Sequence, residues 1–147
     1  MLIPKKISWL FLAVFIIFDN IFSYFAIVYH GMREWGLISG FFVSITPLYY
    51  FVSIPLTLAF LYFAVKFVGW IEEKTDKSKK FARELNEQIL LACLMIAWGI
   101  GATLFNLITF LKGFSPVGIK YEIFLFTGIS IAIIYGILAE FKFYKKK

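Results

Sequence analysis

One histidine, His30, and one cysteine, Cys93, are all that this 147-residue sequence offers of the side chains that build most transition-metal sites. A structural zinc site draws on four Cys or His ligands, so a typical one cannot be assembled. Haem held by two histidines of one chain is excluded for the same reason. A lone cysteine forms no internal disulfide, and Cys93, inside an apolar stretch, reads as a small packing residue. Acidic residues are scarce too, nine against fifteen Lys and Arg. Only one aspartate, Asp19, falls within an apolar run, so a paired-aspartate centre has no second member. No Gly-x-Ser-x-Gly turn occurs, and Gly99-Ile-Gly-Ala lacks the strand and helix around it that a nucleotide loop requires. No cofactor or metal is expected, and no enzymatic constellation is visible.

What the chain has in abundance is apolar surface. Sixty-one percent of residues are apolar and 21% aromatic, with a mean hydropathy of +0.85, far outside the range of a soluble domain. A helix needs about 20 apolar residues to cross a hydrocarbon core of roughly 30 Å. Four stretches qualify, at residues 7–29, 47–69, 88–111 and 123–141. A membrane barrel would alternate apolar and polar residues over segments of about ten, whereas these runs are continuous. The expected fold is all-α, an integral membrane bundle of four transmembrane helices forming a single domain over residues 1–147.

Charge follows this topology. Twelve of the fifteen cations lie before the first span, around the central loop or at the end of the chain; Arg33, Lys112 and Lys120 alone occupy the other two loops. Cytoplasmic loops retain cations, so the expectation is a cell-membrane protein with both termini cytoplasmic. The net charge of +6 is accounted for without nucleic acid. Membrane lipids are the expected partners, with anionic headgroups against the cytoplasmic cations. The start resembles a signal peptide, Lys5-Lys6 before the twelve residues 7–18, all apolar except Ser8, but no small-x-small site follows and the apolar run resumes after Asn20; cleavage is not expected.

Residues 37–69 form one predominantly apolar stretch, too long for one upright crossing. Thr46-Pro47 supplies an N-cap residue followed by proline at a first helical position, which starts the second span at Pro47. Residues 35–45 then become a separate apolar piece, interfacial or re-entrant, over the outer end; the alternative is an extension of the second helix. Gly36, Ser39 and Gly40 oppose a long helix there. Pro55 should kink the second span, with Ser53 and Thr57 near the carbonyl it frees. On the cytoplasmic side Asp76 can cap an amphipathic helix running through Phe81, Leu85 and Ile89 into the third span. Gly31-x4-Gly36 and Gly113-x4-Gly118, offset by 82 residues, suggest two parallel hairpin repeats.

Asp19 is the residue most in need of explanation. It lies twelve positions into the first span, about 18 Å deep at 1.5 Å per residue. An acid there costs roughly 2.5–3.5 kcal/mol, so it should face other helices. Ser23, His30 and Glu34 fall within about 60° of it on a regular helix; with Asn20 alongside they make a polar stripe toward the outer surface, ending at an outer mouth of His30, Arg33 and Glu34. On the third span, Gly99, Thr103 and Asn106 share the face at the depth of Asp19, and Thr103 is the expected donor to it. Two readings of Asp19 stay open: a structural tie between helices, or a proton-linked or cation-binding site. A divalent-metal site from Asp19, His30 and Glu34 is opposed by a rise of roughly 16 Å between Asp19 and His30.

Asp19-x3-Ser23, Gly31-x2-Glu34 and Thr46-Pro47 together resemble the pattern of a family of small prokaryotic membrane proteins of unknown function, over about residues 10–65. That pattern has Asn-Pro where this chain has Gly36-Leu37. The resemblance implies that Asp19, Ser23 and Glu34 act as one unit and implies no activity. The functional expectation is binding or translocation of a small solute or ion at Asp19, Asn20, Ser23, Thr103 and Asn106. The alternative is a non-catalytic accessory or assembly subunit, its aromatic faces set against a second copy or a larger membrane partner.

Overall fold

The computed structural model describes residues 2–32, 37–75, 79–114 and 120–144, and every element among them is helical. In chain order these are α1 (Lys5–His30), α2 (Leu37–Ile45), α3 (Tyr49–Thr75), α4 (Lys79–Trp98), a π-helical turn (Gly99–Thr103), α5 (Leu104–Leu111) and α6 (Tyr121–Tyr144). Four helical stretches are long and apolar enough to cross a membrane: Lys5–His30, Tyr49–Lys74, Arg83–Leu111 and Tyr121–Lys142. Their outward faces carry large exposed apolar side chains, among them Phe60 at 71% and Leu111 at 73% exposure. Such a shell is tolerated only where lipid covers it. The chain is a multi-pass membrane protein with an all-α four-helix bundle.

The predicted spans agree with the helices to within a few residues, and the differences have local causes. Thr46 does act at the start of the second span, but its Oγ1 accepts the Leu48 N–H at 3.3 Å, so Pro47 and Leu48 form a turn and α3 begins at Tyr49. At its other end α3 runs on past Gly69 to Thr75, with Lys74 lying over the Trp70 ring at 3.8 Å. The segment before α3 is the nine-residue helix α2. Among the described residues it packs against α3 alone, through Phe42 and Tyr49, rings 5.1 Å apart. The amphipathic stretch after Asp76 is helical from Lys79 and continues unbroken into the third span; Asp76 itself, like Gly36 and Gly118, lies outside the described residues. Ser53 does not reach the carbonyl freed by Pro55, because its hydroxyl is spent on Tyr50 O at 2.8 Å and on Asn20.

α1 stops at His30 because Gly31 takes the left-handed conformation at φ +61°. Gly113, at the end of α5, does the same at φ +66°. The 82-residue offset thus joins two like helix ends, a geometry glycine supplies wherever a helix closes this way. The packing itself is not two-fold. A two-fold would carry the α3–α4 pair onto an α6–α1 pair, yet among the described residues α3 packs on α4 while α6 and α1 do not meet as helices. Instead α4 is central: α1 and α3 pack on it and on each other. Among the described residues α6 packs as a helix on the third span, through α4, the π turn and α5, while its Tyr135 hydroxyl accepts the Ile3 N–H at 3.2 Å.

The π turn is what the sequence pattern did not reveal. A turn closed i to i+5 takes in one more residue than an α turn, so everything after it is rotated relative to a regular helix. Small residues permit the close contacts on both sides. A Cβ on Gly99 would come within 2.6 Å of the Phe15 ring, and one on Gly128 of α6 would lie 2.9 Å from both Ala97 O and Gly101 N. Backbone thus approaches backbone where α6 crosses the turn.

Leu12, Ile16, Leu61, Val65 and Leu91 form a buried core between α1, α3 and α4, with Trp9, Leu58, Leu94 and Trp98 packed around it. It fills the half of the bundle where α1 begins and α3 ends. Beyond it, toward the loop end near His30, the helices enclose polar residues.

Candidate functional site

Asp19 and Asn20 are adjacent on α1, and about 100° of rotation separates neighbouring helical residues, so they address different partners. Asn106 Nδ2 donates to Asp19 Oδ1, joining α1 to α5. Ser53 Oγ donates to Asn20 Oδ1 at 2.5 Å, joining α1 to α3, while Asn20 Nδ2 donates to Ile16 O at 2.8 Å. Ser53 and Asn106 are buried. A polar group left without a partner in such a place costs more than the bond contributes. Ser53→Ala is expected to strand Asn20 Oδ1 and to cost about 1 kcal/mol, read by reversible unfolding in mixed micelles; an unchanged midpoint would mean that this bond does not tie α1 to α3.

Thr103 is not the donor that its helical spacing predicted. Its Oγ1 is buried without a partner, and Asn106 takes the role. The π turn explains the exchange. Gly99, Thr103 and Asn106 share one face only on a regular helix; the extra residue in the turn shifts that register, leaving Gly99 against Phe15 and Asn106 against Asp19.

Around this pair of ties the bundle leaves a cleft of about 570 Å³. Asp19, Asn20 and Ser23 line it from α1, Ser53 and Thr57 from α3, and Trp98, Ala102, Phe105 and Asn106 from the third span. Tyr49, Tyr50 and Met32 line it nearer the loop end, as do Tyr121, Glu122 and Leu125 on the first turns of α6. The lining residues from helix starts and ends lie at the rim, and mid-helix Asp19, Thr57 and Trp98 lie deepest. From Tyr49 to Thr57 the rise is about 12 Å. Among the described residues, the lining therefore runs from the loop end to the depth of Asp19.

Of the predicted outer mouth, His30 alone lies among the described residues. The polar stripe presumed a helix regular to Glu34, but Gly31 ends it at His30. His30 is exposed, stacks on Phe114 with ring centroids 3.7 Å apart, and is absent from the cleft lining. Arg33 and Glu34 lie outside the described residues. None of residues 40–45 lines the cleft, so that part of α2 does not cover it. Among the described residues the acid at the rim is Glu122, which sequence reasoning passed over; its place at the start of the fourth span, on the same side as the end of the first, was the available signal. The aromatic lining carried no signal at all in a chain that is 21% aromatic.

At the other end the bundle is closed by ionic contacts that were also not anticipated. Glu87, 3% exposed, accepts Lys5 Nζ at 2.9 Å and Lys66 Nζ at 2.8 Å on Oε2, and Arg83 Nε at 3.1 Å on Oε1. Arg83 Nη1 also reaches Glu73 Oε2 at 2.8 Å. One carboxylate thereby joins α1, α3 and α4. Gly69 makes room for it, since a Cβ there would sit 2.7 Å from Glu87 Cγ.

Chemically, the cleft offers carboxylates, amides, hydroxyls and aromatic rings. Among the described residues no three of His, Cys, Asp and Glu gather into a metal-binding group. Compared with protein-family models, curated proteins and solved structures, the chain matches none.

Proposed function

We propose that the chain binds a small polar or charged solute in this cleft and passes it across the membrane, with Asp19 as the mid-membrane anchor. The observation that carries this reading is the joining of a cleft of about 570 Å³ to a carboxylate halfway along a membrane helix. A purely structural tie requires Asp19 and Asn106 to meet; it does not require an opening from one surface down to them. The distribution of cations supports an orientation with both termini cytoplasmic and the cleft facing outward. In that orientation the core around Leu12, Leu61 and Leu91 and the Glu87 cluster close the cytoplasmic half. The conformation then corresponds to the outward-open member of an alternating-access pair.

Asp19→Asn tests the reading because the new amide oxygen can still accept from Asn106 while the charge is lost. Uptake into proteoliposomes, screened over small cations and neutral metabolites, is expected to fall by at least about tenfold, with elution profile and unfolding midpoint unchanged. Wild-type flux in the variant, or flux absent from the wild-type protein across the screen, would overturn it.

A further inference from the structure

We infer that the bundle holds an anionic phospholipid at the end opposite the cleft. Lys5 and Lys66 clamp its phosphate, and an acyl chain lies along Trp9 and Tyr62. The site stands apart from the cleft and does not depend on what the cleft binds.

One buried acid builds the clamp. Glu87 Oε2 accepts Lys5 Nζ at 2.9 Å and Lys66 Nζ at 2.8 Å, so the two ammonium groups lie no farther apart than those distances laid end to end. Two cations on flexible stems keep such a spacing because the carboxylate between them offsets their repulsion. Their stems come from α1 and α3, which pack on each other and on α4. An ammonium carries three donors and a guanidinium five. Among the described contacts Lys5 and Lys66 each spend one on Glu87, while Arg83 spends one on Glu87 and one on Glu73. Glu87 is buried, yet all three cationic side chains stay partly exposed. Donors therefore remain on the side away from Glu87.

Charge selects an anion. In this hydrogen-bonded cluster three cations meet two carboxylates, Glu87 and Glu73, which leaves one positive charge over. Lys6, next in the chain to Lys5, is exposed and adds to it. Two oxygens of one phosphate can each accept from one lysine at about 2.7–2.9 Å. A phosphodiester whose headgroup carries no ammonium suits this balance. A choline or ethanolamine headgroup would bring one more cation to a site already in excess.

The surroundings select a lipid over a soluble phosphate. The first span starts at Lys5, so the lysine pair marks the level at which α1 leaves hydrocarbon. Four residues beyond Lys66, about 6 Å along α3, Trp70 is exposed and carries Lys74 at 3.8 Å over its ring. An aromatic of this kind sits among headgroups. One turn the other way, into the membrane, Trp9 and Tyr62 meet with ring centroids 6.1 Å apart, and Lys66 Nζ lies 6.0 Å from the Tyr62 ring. Tyr62 and its neighbour Phe63 are exposed. A phosphate on the lysines thus has apolar surface directly beneath it, which an acyl chain covers and a free phosphate does not use.

The test is native mass spectrometry of the full chain taken from vesicles of equimolar phosphatidylglycerol and phosphatidylcholine with matched chains. Phosphatidylglycerol is expected to be retained at least about tenfold over phosphatidylcholine. Lys5→Gln combined with Lys66→Gln should bring the ratio to within about twofold of unity, and Lys142→Gln, at an exposed position of α6, should leave it unchanged. A second measurement leaves the clamp intact: chains brominated on their headgroup-proximal half should quench tryptophan more when phosphatidylglycerol carries them than when phosphatidylcholine does. Trp9→Phe should remove most of that difference. If the double variant does not fold, the quenching comparison on the wild-type chain decides. Equal retention of the two lipids, a preference that survives the double substitution, or equal quenching would overturn the inference. So would glycerol 3-phosphate binding as tightly as the lipid, since the occupant would then be a soluble phosphate.

Discussion

Valine at position 128 is expected to detach α6 from the third span and to dismantle one wall of the cleft. A Cβ at Gly128 would lie 2.9 Å from Ala97 O and Gly101 N. Both are backbone atoms inside helical turns, so neither can swing away as the tip of a side chain does. Moving α6 outward is the available relief, and it loosens the packing of α6 on α4, the π turn and α5, the helical elements it meets among the described residues. Overpacking costs about 1–3 kcal/mol and more when backbone must shift; alanine should cost about 2 kcal/mol and valine upward of about 3 kcal/mol on that basis. Cys93 reports the separation directly, since its Sγ donates to Ala132 O of α6 at 3.2 Å. Its labelling by a maleimide should accelerate in Gly128→Val and stay at the wild-type rate in Ser130→Val, on an exposed position of the same helix. Tyr121 and Glu122 would move with the helix, so solute binding should fall in parallel. Slow labelling and an unchanged unfolding midpoint in Gly128→Val would mean that the close crossing is not there.

The second large effect is expected at the opposite end. Glu87→Leu removes the acceptor of three cationic side chains and leaves Lys5, Lys66 and Arg83 facing one another. Hydrogen bonds to charged groups contribute about 1.5–3 kcal/mol each. The full sum is not expected, because the side chains of the three cations are 33–41% exposed and can return to water. A loss of about 3 kcal/mol is the expected result, measured by unfolding in mixed micelles. Glu87→Gln, which keeps the shape and one acceptor oxygen, should recover part of it. A cycle pairing Glu87→Gln with Lys66→Met should show coupling between α3 and α4. Additive losses would show that the ionic contacts do not hold these helices together. Because Glu87 is buried, the effect should change little between low and moderate salt.

Much of the fold was legible because a bilayer imposes simple rules. Continuous apolar runs of about 20 residues had to become spanning helices, and Thr46, whose local chemistry does not depend on distant partners, marked the start of the second span to within a few residues. The inward turn of Asp19 was legible for the same reason, the cost of a carboxyl against acyl chains. Asn106 was placed on the facing helix, but the bond was assigned to Thr103. That assignment assumed a regular third span, and the one-residue shift of the π turn lies beyond any reading of periodicity. The stripe drawn from Asp19 toward Glu34 made the same assumption: equal angular offsets count only as far as the helix continues, and it ends at His30, with Glu34 outside the described residues.

Composition and pattern alone decided the medium, the four crossings and the helix face of Asp19, since these follow from the transfer of each segment out of water. The three-dimensional arrangement decided which donor Asp19 receives, that Glu122 shares its cleft, and that Glu87 gathers cations from three helices. Lys66 and Glu87 stand 21 positions apart in the chain, Lys5 and Glu87 82, and Asp19 and Asn106 87. Such partners are chosen by how closely helices can approach, which here turns on the missing side chains of Gly69, Gly99 and Gly128. A bilayer makes all apolar faces nearly equivalent, so fit between helices, and not hydrophobicity, settles which ones meet.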